Sequence, residues 1–192
     1  MADAKYYPDD WGEYCAYCKK NSQPIDPRWA VFAARFRVAG NFGGAIWFDM
    51  AERTTRGYDA AIRLLFCYSA LEAACSASGL KVHNVHLEGE YLSECRRKIR
   101  LNFSSFTDEE FGLRKALGSK HLKQRLAEFF EEQSDDLMPF AIAVRHLFAH
   151  GIWTPKGSKA LTKQALEGLD WISHGLNSTS QSLFRKFYEN LR

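Results

Sequence analysis

The chain has 192 residues, 46% of them hydrophobic and 26% charged, with a net charge of +3. This is the make-up of an ordinary soluble globular protein, long enough for one domain with a sizeable core and at most an appendage. No run of about 18 uninterrupted apolar residues is present, so no membrane span is expected, and so mild a charge permits binding to nucleic acid without arguing for it.

Residues 1–27 are irregular and rich in aromatic residues. Asp9-Asp10 can open a short helix reaching Lys20, and Pro24 and Pro27 punctuate the stretch after it. There is no apolar signal-peptide core at the start, and the five cysteines lack regular spacing. Both features make the cytoplasm, with reduced thiols, the expected compartment. Asp26-Pro27 is a good N-cap and first-position pair. It predicts a helix through Phe36 that Gly40 ends, followed by a flexible turn at Asn41–Gly44. The apolar piece from Ala45 to Glu52 reads equally as a short helix or strand.

From Tyr58 the helical period is clear. Ala61, Leu64, Leu65, Tyr68, Leu71 and Cys75 recur at 3-4 spacing, and Gly79 closes the run. Residues 80–88 read as a loop or short extended piece. A helix over 90–102 places Tyr91, Leu92, Cys95 and Ile99 on one side and its basic residues on the other. Thr107–Glu110 forms a capping box that starts a short helix ending at Gly118. Another helix runs from Ser119 through Phe130. Asp135-Asp136 cap the next one, which carries Pro139 in its first turn, where the missing N–H does little harm. Gly151 ends it, and Thr154–Gly157 is a turn. Ser158–Leu191 reads as one or two amphipathic helices, with Gly175–Ser180 as the weakest joint. No strand pattern and no repeat of 20–50 residues is visible. The expected fold is all-α: a bundle of about five helices over 57–192, preceded by an N-terminal helical extension over 1–56.

Four stretches carry chemistry. Cys15 and Cys18 form a CxxC, but no second such pair lies nearby. A zinc site would need His83 and His86 to be brought to it, and ordinary thiols are the simpler reading. No metal and no cofactor are expected. Arg96, Arg97, Lys98 and Arg100 put four positive charges in five positions. They form either a solvated helix face or a patch that binds substrate phosphates. Glu72 stands alone among Leu71, Ala73 and Ala74, where a carboxylate could hold a buried arginine by a charge-assisted pair. No GxxxxGKS phosphate loop, G-x-S-x-G elbow or HExxH is present.

The last stretch is the most apolar of the chain, residues 137–155. Its ionisable side chains are Arg145, His146 and His150, and it contains no acid. An arginine in so apolar a segment must find a partner or face a polar cleft. His146 and His150 are four apart and share a helix face. Arg145 lies about 140° around the helix from His150 at 100° per residue. A helix end at His150 or a symmetric second copy would be needed to bring the three together.

The sequence Arg145-His146-x-x-x-His150, followed by Gly151 at the end of an apolar helix in an all-α chain, resembles the HEPN superfamily. That family is marked by an arginine, a polar residue and, four to six residues on, a histidine. The resemblance covers about 57–192, and its specific part spans six or seven residues; residues 1–56 match nothing. It implies a helical bundle that dimerises, with the motifs of two subunits facing each other in one cleft at the two-fold axis. It also implies a metal-independent endoribonuclease acting on single-stranded RNA, as a toxin with an antitoxin or other regulatory partner, or as an antiviral defence effector. Some toxin members carry a tyrosine two residues after the histidine, which a partner enzyme modifies. This chain has Ile152 there, so that mode of silencing is not carried over.

The residue types suit that chemistry. Histidine titrates near neutrality and serves as base or acid, and arginine grips phosphate oxygens while staying charged. His150 is the expected acid/base and Arg145 the phosphate clamp. His146 is a second proton-transfer group or an orienting one. Two other readings stay open. A non-catalytic HEPN-like module would bind a nucleotide, an RNA or a protein partner, with Arg145 paired to Glu72 and both histidines satisfied in the core. A DNA-binding regulator would use Arg96–Arg100.

Overall fold

A computed structural model describes residues 6–89, 91–103, 112–152 and 161–192. The fold is all-α. In order, the helices are α1 (Trp11–Lys20), α2 (Pro27–Asn41), α3 (Glu52–Ala77), α4 (Leu92–Phe103), the single turn α5 (Leu113–Ala116), α6 (Lys120–Phe130), α7 (Met138–Ala149) and α8 (Lys163–Glu189). A 3₁₀ turn, Val82–Asn84, sits between α3 and α4. The bundle expected after residue 57 is therefore α3, α4, α6, α7 and α8, with α5 as one added turn. The capping box at 107–110 and the turn at 154–157 lie outside the described residues.

Two long helices organise the packing. α3 and α8 lie side by side, α2 covers α3, and α4 covers α8. Leu64, Leu71, Ile99, Leu126, Phe140, Leu169 and Ile172 are fully enclosed in the main core. By length and composition α3 could cross a membrane, but most of that stretch is buried inside the bundle, as befits a core helix. A second, aromatic core joins α1 and α2 to the rest. Tyr14 and Trp29 pack on Phe184, Phe187 and Tyr188 of α8 and against Ala73, Ala74 and Ala77 of α3.

Several helix ends follow from local chemistry. Asp26 accepts from the Arg28 amide at 2.9 Å, with Pro27 in the first turn of α2. Asp136 accepts from the Met138 amide at 3.1 Å and so feeds the start of α7, although Leu137 is the capping position. α7 stops in a Schellman motif. Gly151, at φ 66°, donates to the Phe148 carbonyl, and Ile152 donates to that of Leu147.

Two elements differ from the sequence reading. α3 begins at Glu52, so the 56/57 boundary drawn from the sequence falls inside a helix, and residues 45–51 are neither helix nor strand. α8 is one helix of 27 residues that runs straight through 175–180. Its glycines make room rather than breaks. A Cβ on Gly168 would lie 2.8 Å from Ile99 Cδ1, and one on Gly175 would lie 3.2 Å from Leu92 Cδ2. These are the points where α4 presses against α8. Within the helix, Thr179 donates to the Gly175 carbonyl at 2.7 Å and Ser173 to that of Leu169 at 3.0 Å.

Candidate functional site

The last turn of α7 carries Arg145 and His146, and His150 caps it. The helix is apolar and enclosed from Met138 to Val144, then emerges at its C-terminal end. Arg145 and His146 are half-buried there, and His150, at the C-cap, is exposed. The Schellman turn ends the helix at His150, so the helical drift that separates positions 145 and 150 goes no further.

His146 and His150 come together. Their rings stack with centroids 5.3 Å apart and planes 19° from parallel. Burial, the Arg145 guanidinium and then the second imidazole push His146 below the ordinary histidine value, while Glu72 pulls the other way. The shift favours the neutral form of the imidazole, the form a general base needs.

Arg145 points to α3. Its Nη2 lies 3.8 Å from Glu72 Oε1, and the two side chains are 30% and 36% exposed. The guanidinium also lies 5.5 Å from the centre of the Tyr68 ring. Tyr68 and Glu72 are four apart on α3 and form one bracket. Burial, chiefly, raises the Tyr68 hydroxyl far above the ordinary tyrosine value. The Arg145 Nε is buried without a hydrogen-bond partner. Among the described residues the arginine is thus tethered by one long ion pair and a ring face. Glu72 was legible in the sequence as a lone acid. Tyr68 was not singled out for this role, although its i, i+4 relation to Glu72 was the available signal.

The flank of this turn is aromatic. Phe148 meets Tyr58 at 6.1 Å, and Tyr58 meets Trp47 at 5.0 Å. The Trp47 indole and the Ala45 amide both donate to Asp59 Oδ1 at 3.0 Å, pinning the 42–51 loop beside the end of α7.

The basic run on α4 is elsewhere and differently employed. Lys98, nearly enclosed, bonds Glu167 and lies 4.3 Å from the centre of the Trp171 ring. Arg100 donates to the carbonyls of Phe129 and Ser134 at 2.8 and 2.7 Å and to Asp135 at 3.3 Å. Arg96 donates to the Asp135 carbonyl at 2.8 Å. Arg97, 59% exposed, is forked onto Glu94. Arg96, Arg97 and Arg100 line a shallow concavity of about 600 Å³ that Glu132 and Asp135 share. Its charges are close to balanced.

Cys15 and Cys18 lie three apart on α1. Burial, then the neighbouring Cys18, raises the Cys15 thiol, and Cys18 is enclosed in the aromatic core. Among the described residues no group of three or more His, Cys, Asp or Glu is placed to hold a metal ion. No protein-family model matches the chain, and no curated protein or solved structure does.

Proposed function

We propose that the protein is a metal-independent endoribonuclease of HEPN type, cutting single-stranded RNA at the end of α7. One observation carries the reading: two imidazoles stack at an emerging helix end, beside an arginine whose buried Nε has no partner among the described residues. RNA can cleave itself once its 2′-hydroxyl is deprotonated. His146, in its neutral form, takes that proton, and the 2′-oxygen attacks the adjacent phosphorus. Negative charge grows on the phosphorane oxygens, where Arg145 supplies a fixed cation with hydrogen-bond donors. His150, exposed at the C-cap, gives a proton to the departing 5′-oxygen. The products are a 2′,3′-cyclic phosphate and a 5′-hydroxyl, and no water is consumed. Glu72 and Tyr68 act at one remove, aiming the guanidinium. The reading includes a homodimer whose two motifs face each other, as the resemblance implies. Arg96, Arg97, Lys98 and Arg100 are proposed as substrate-binding, with Arg97 the best placed because it is the most exposed.

The test is cleavage of end-labelled single-stranded RNA in EDTA by wild type, Arg145→Ala and His150→Ala, with end-group analysis. Cyclic-phosphate products from wild type, and a loss of about 10²-fold or more in the variants, are expected. Inactive wild type, or variants that cut normally, would sink the proposal.

A second reading has an observation of its own. Arg145 is already engaged with Glu72 and Tyr68, as in a non-catalytic helical module that binds a nucleotide, an RNA or a protein partner. RNA bound but not cut by wild type would select it.

A further inference from the structure

The loop between α2 and α3 is anomalous. Ile46 is 84% exposed and Phe48 82%, the most exposed large apolar side chains among the described residues. Met50 adds a third. An apolar loop tip in a monomer would normally collapse onto the surface, because each such side chain loses hydrophobic stabilisation in water. This one is held out. Asp59 binds the loop twice, through the Ala45 amide and the Trp47 indole. Trp47 packs on Tyr58 and is half-buried, while Ile46 and Phe48 on either side of it stay exposed. Gly44, at φ 118°, lies against the same carboxylate, where an added Cβ would sit 3.2 Å from Asp59 Oδ2. The arm is thus pinned in a form that cannot bury its own tip.

A receiving surface lies next to it. The outer face of α2 exposes Ala34, Val31 and Val38. Ala34 and Val38, with Ala30, Phe42 and Phe66, line an apolar concavity of about 760 Å³. A second hollow of about 290 Å³ shares Ala34, Val38 and Phe66 with it. Arg35 and Arg37 stand at the rim, bonded to the Ser69 carbonyl and the Tyr7 hydroxyl, with no acidic partner among the described residues. The arm carries the opposite sign. Asp49 and Glu52 are exposed and have no cationic partner among the described residues.

We propose that a second copy of this chain docks here, the Ile46/Phe48 arm of each protomer seating in the α2–Phe66 groove of the other. Asp49 and Glu52 then meet Arg35 and Arg37 across the contact. The arm leaves its own groove at Phe42, so a two-fold axis near Gly44 lays each arm over its partner's groove, and the contact closes on itself. The surface names the partner that the proposed ribonuclease requires, and it rests on that reading only for its consequence, not for the contact itself.

The experiment is analytical ultracentrifugation of the full chain, with helical content checked by circular dichroism. Wild type is expected to be a dimer. Phe48→Asp and Val38→Asp, both at exposed positions, should each raise the dimer dissociation constant at least 100-fold with unchanged helicity. Mixing the two should restore a heterodimer, because one arm–groove contact is then intact. Arg37→Glu should weaken the dimer and Asp49→Lys in the same chain should recover it. A monomeric wild type, a Phe48→Asp protein that stays dimeric, or a mixture that stays monomeric overturns the proposal. RNA cleavage is read separately. A wild-type dimer that cuts no RNA sinks the nuclease and leaves the arm intact, whereas an active Phe48→Asp dimer sinks only the arm.

Discussion

The arginines of α4 and the arginine of α7 have opposite fates. Arg100 spends its donors on two carbonyls and a carboxylate, and Arg96 bonds the Asp135 main chain. They staple α4 to the segment after α6. Among the described residues, Arg145 has one ion pair at 3.8 Å and a buried Nε without a partner. A folded protein seldom leaves a buried donor unmet, since each costs about 1–3 kcal/mol. The contacts of Arg96 and Arg100 tie α4 to its neighbours, whereas Arg145 keeps a buried Nε that no described residue satisfies, next to His146.

The sharpest way to break this contrast is at Arg145 itself. Arg145→Ala should lower RNA cleavage by about 10²–10⁴-fold, the range for a positioned charge-stabilising or proton-transfer group. Its effect on unfolding in urea should be small by comparison. A large loss of stability with cleavage intact would put Arg145 in the same class as Arg100.

The α4 side is tested next through its neighbour Arg125. That side chain donates to Asp136 at 2.8 Å and to the His83 carbonyl at 2.6 Å, and both partners of the ion pair are enclosed. Arg125→Ala strands the Asp136 carboxylate and should cost about 3 kcal/mol or more in urea unfolding. Arg97→Ala, by contrast, removes a solvated fork and should change stability by no more than about 0.5 kcal/mol. If Arg97 contacts RNA, its loss lowers the salt dependence of binding by about one unit of slope. An unchanged slope removes it from the substrate surface.

What the sequence makes legible divides along the same line. The Asp26-Pro27 start, the 3-4 repeat ending at Gly79 and the Gly151 stop are short-range signals, and each sits where it was read. The motif on α7 is local too, and Glu72 stands out because it lacks polar neighbours. The roles of α4 are not local. Lys98 finds Glu167 on α8, and Arg100 finds carbonyls at the end of α6 and just after it, so no window on α4 distinguishes a solvated face from a set of staples. Gly175 misleads for the same reason. Its lack of a side chain serves the close approach of Leu92, a contact between distant residues, and looks like a helix joint only when read along the chain.

The finest distinction is drawn by pH, at His146. Its folded-state pKa is lowered, by burial first and then by Arg145 and His150. The unfolded chain therefore takes up its proton first as pH falls, near the ordinary histidine value of about 6.5. From there down to the lowered folded value, acid should erode stability, and above about 6.5 this contribution is fully present. His146→Gln removes the titration, so its urea midpoint should vary less with pH than that of wild type between about 7 and 5. Glu72→Gln should steepen the wild-type dependence, because Glu72 is the one group that pulls His146 upward. Cleavage should follow the same sign, falling as His146 is protonated, with the acid limb of the wild-type rate profile moving to higher pH when Arg145 is replaced. A limb that stays put in Arg145→Lys and moves in Arg145→Gln separates the charge of Arg145 from its shape. A limb that moves in neither would place the base elsewhere than His146.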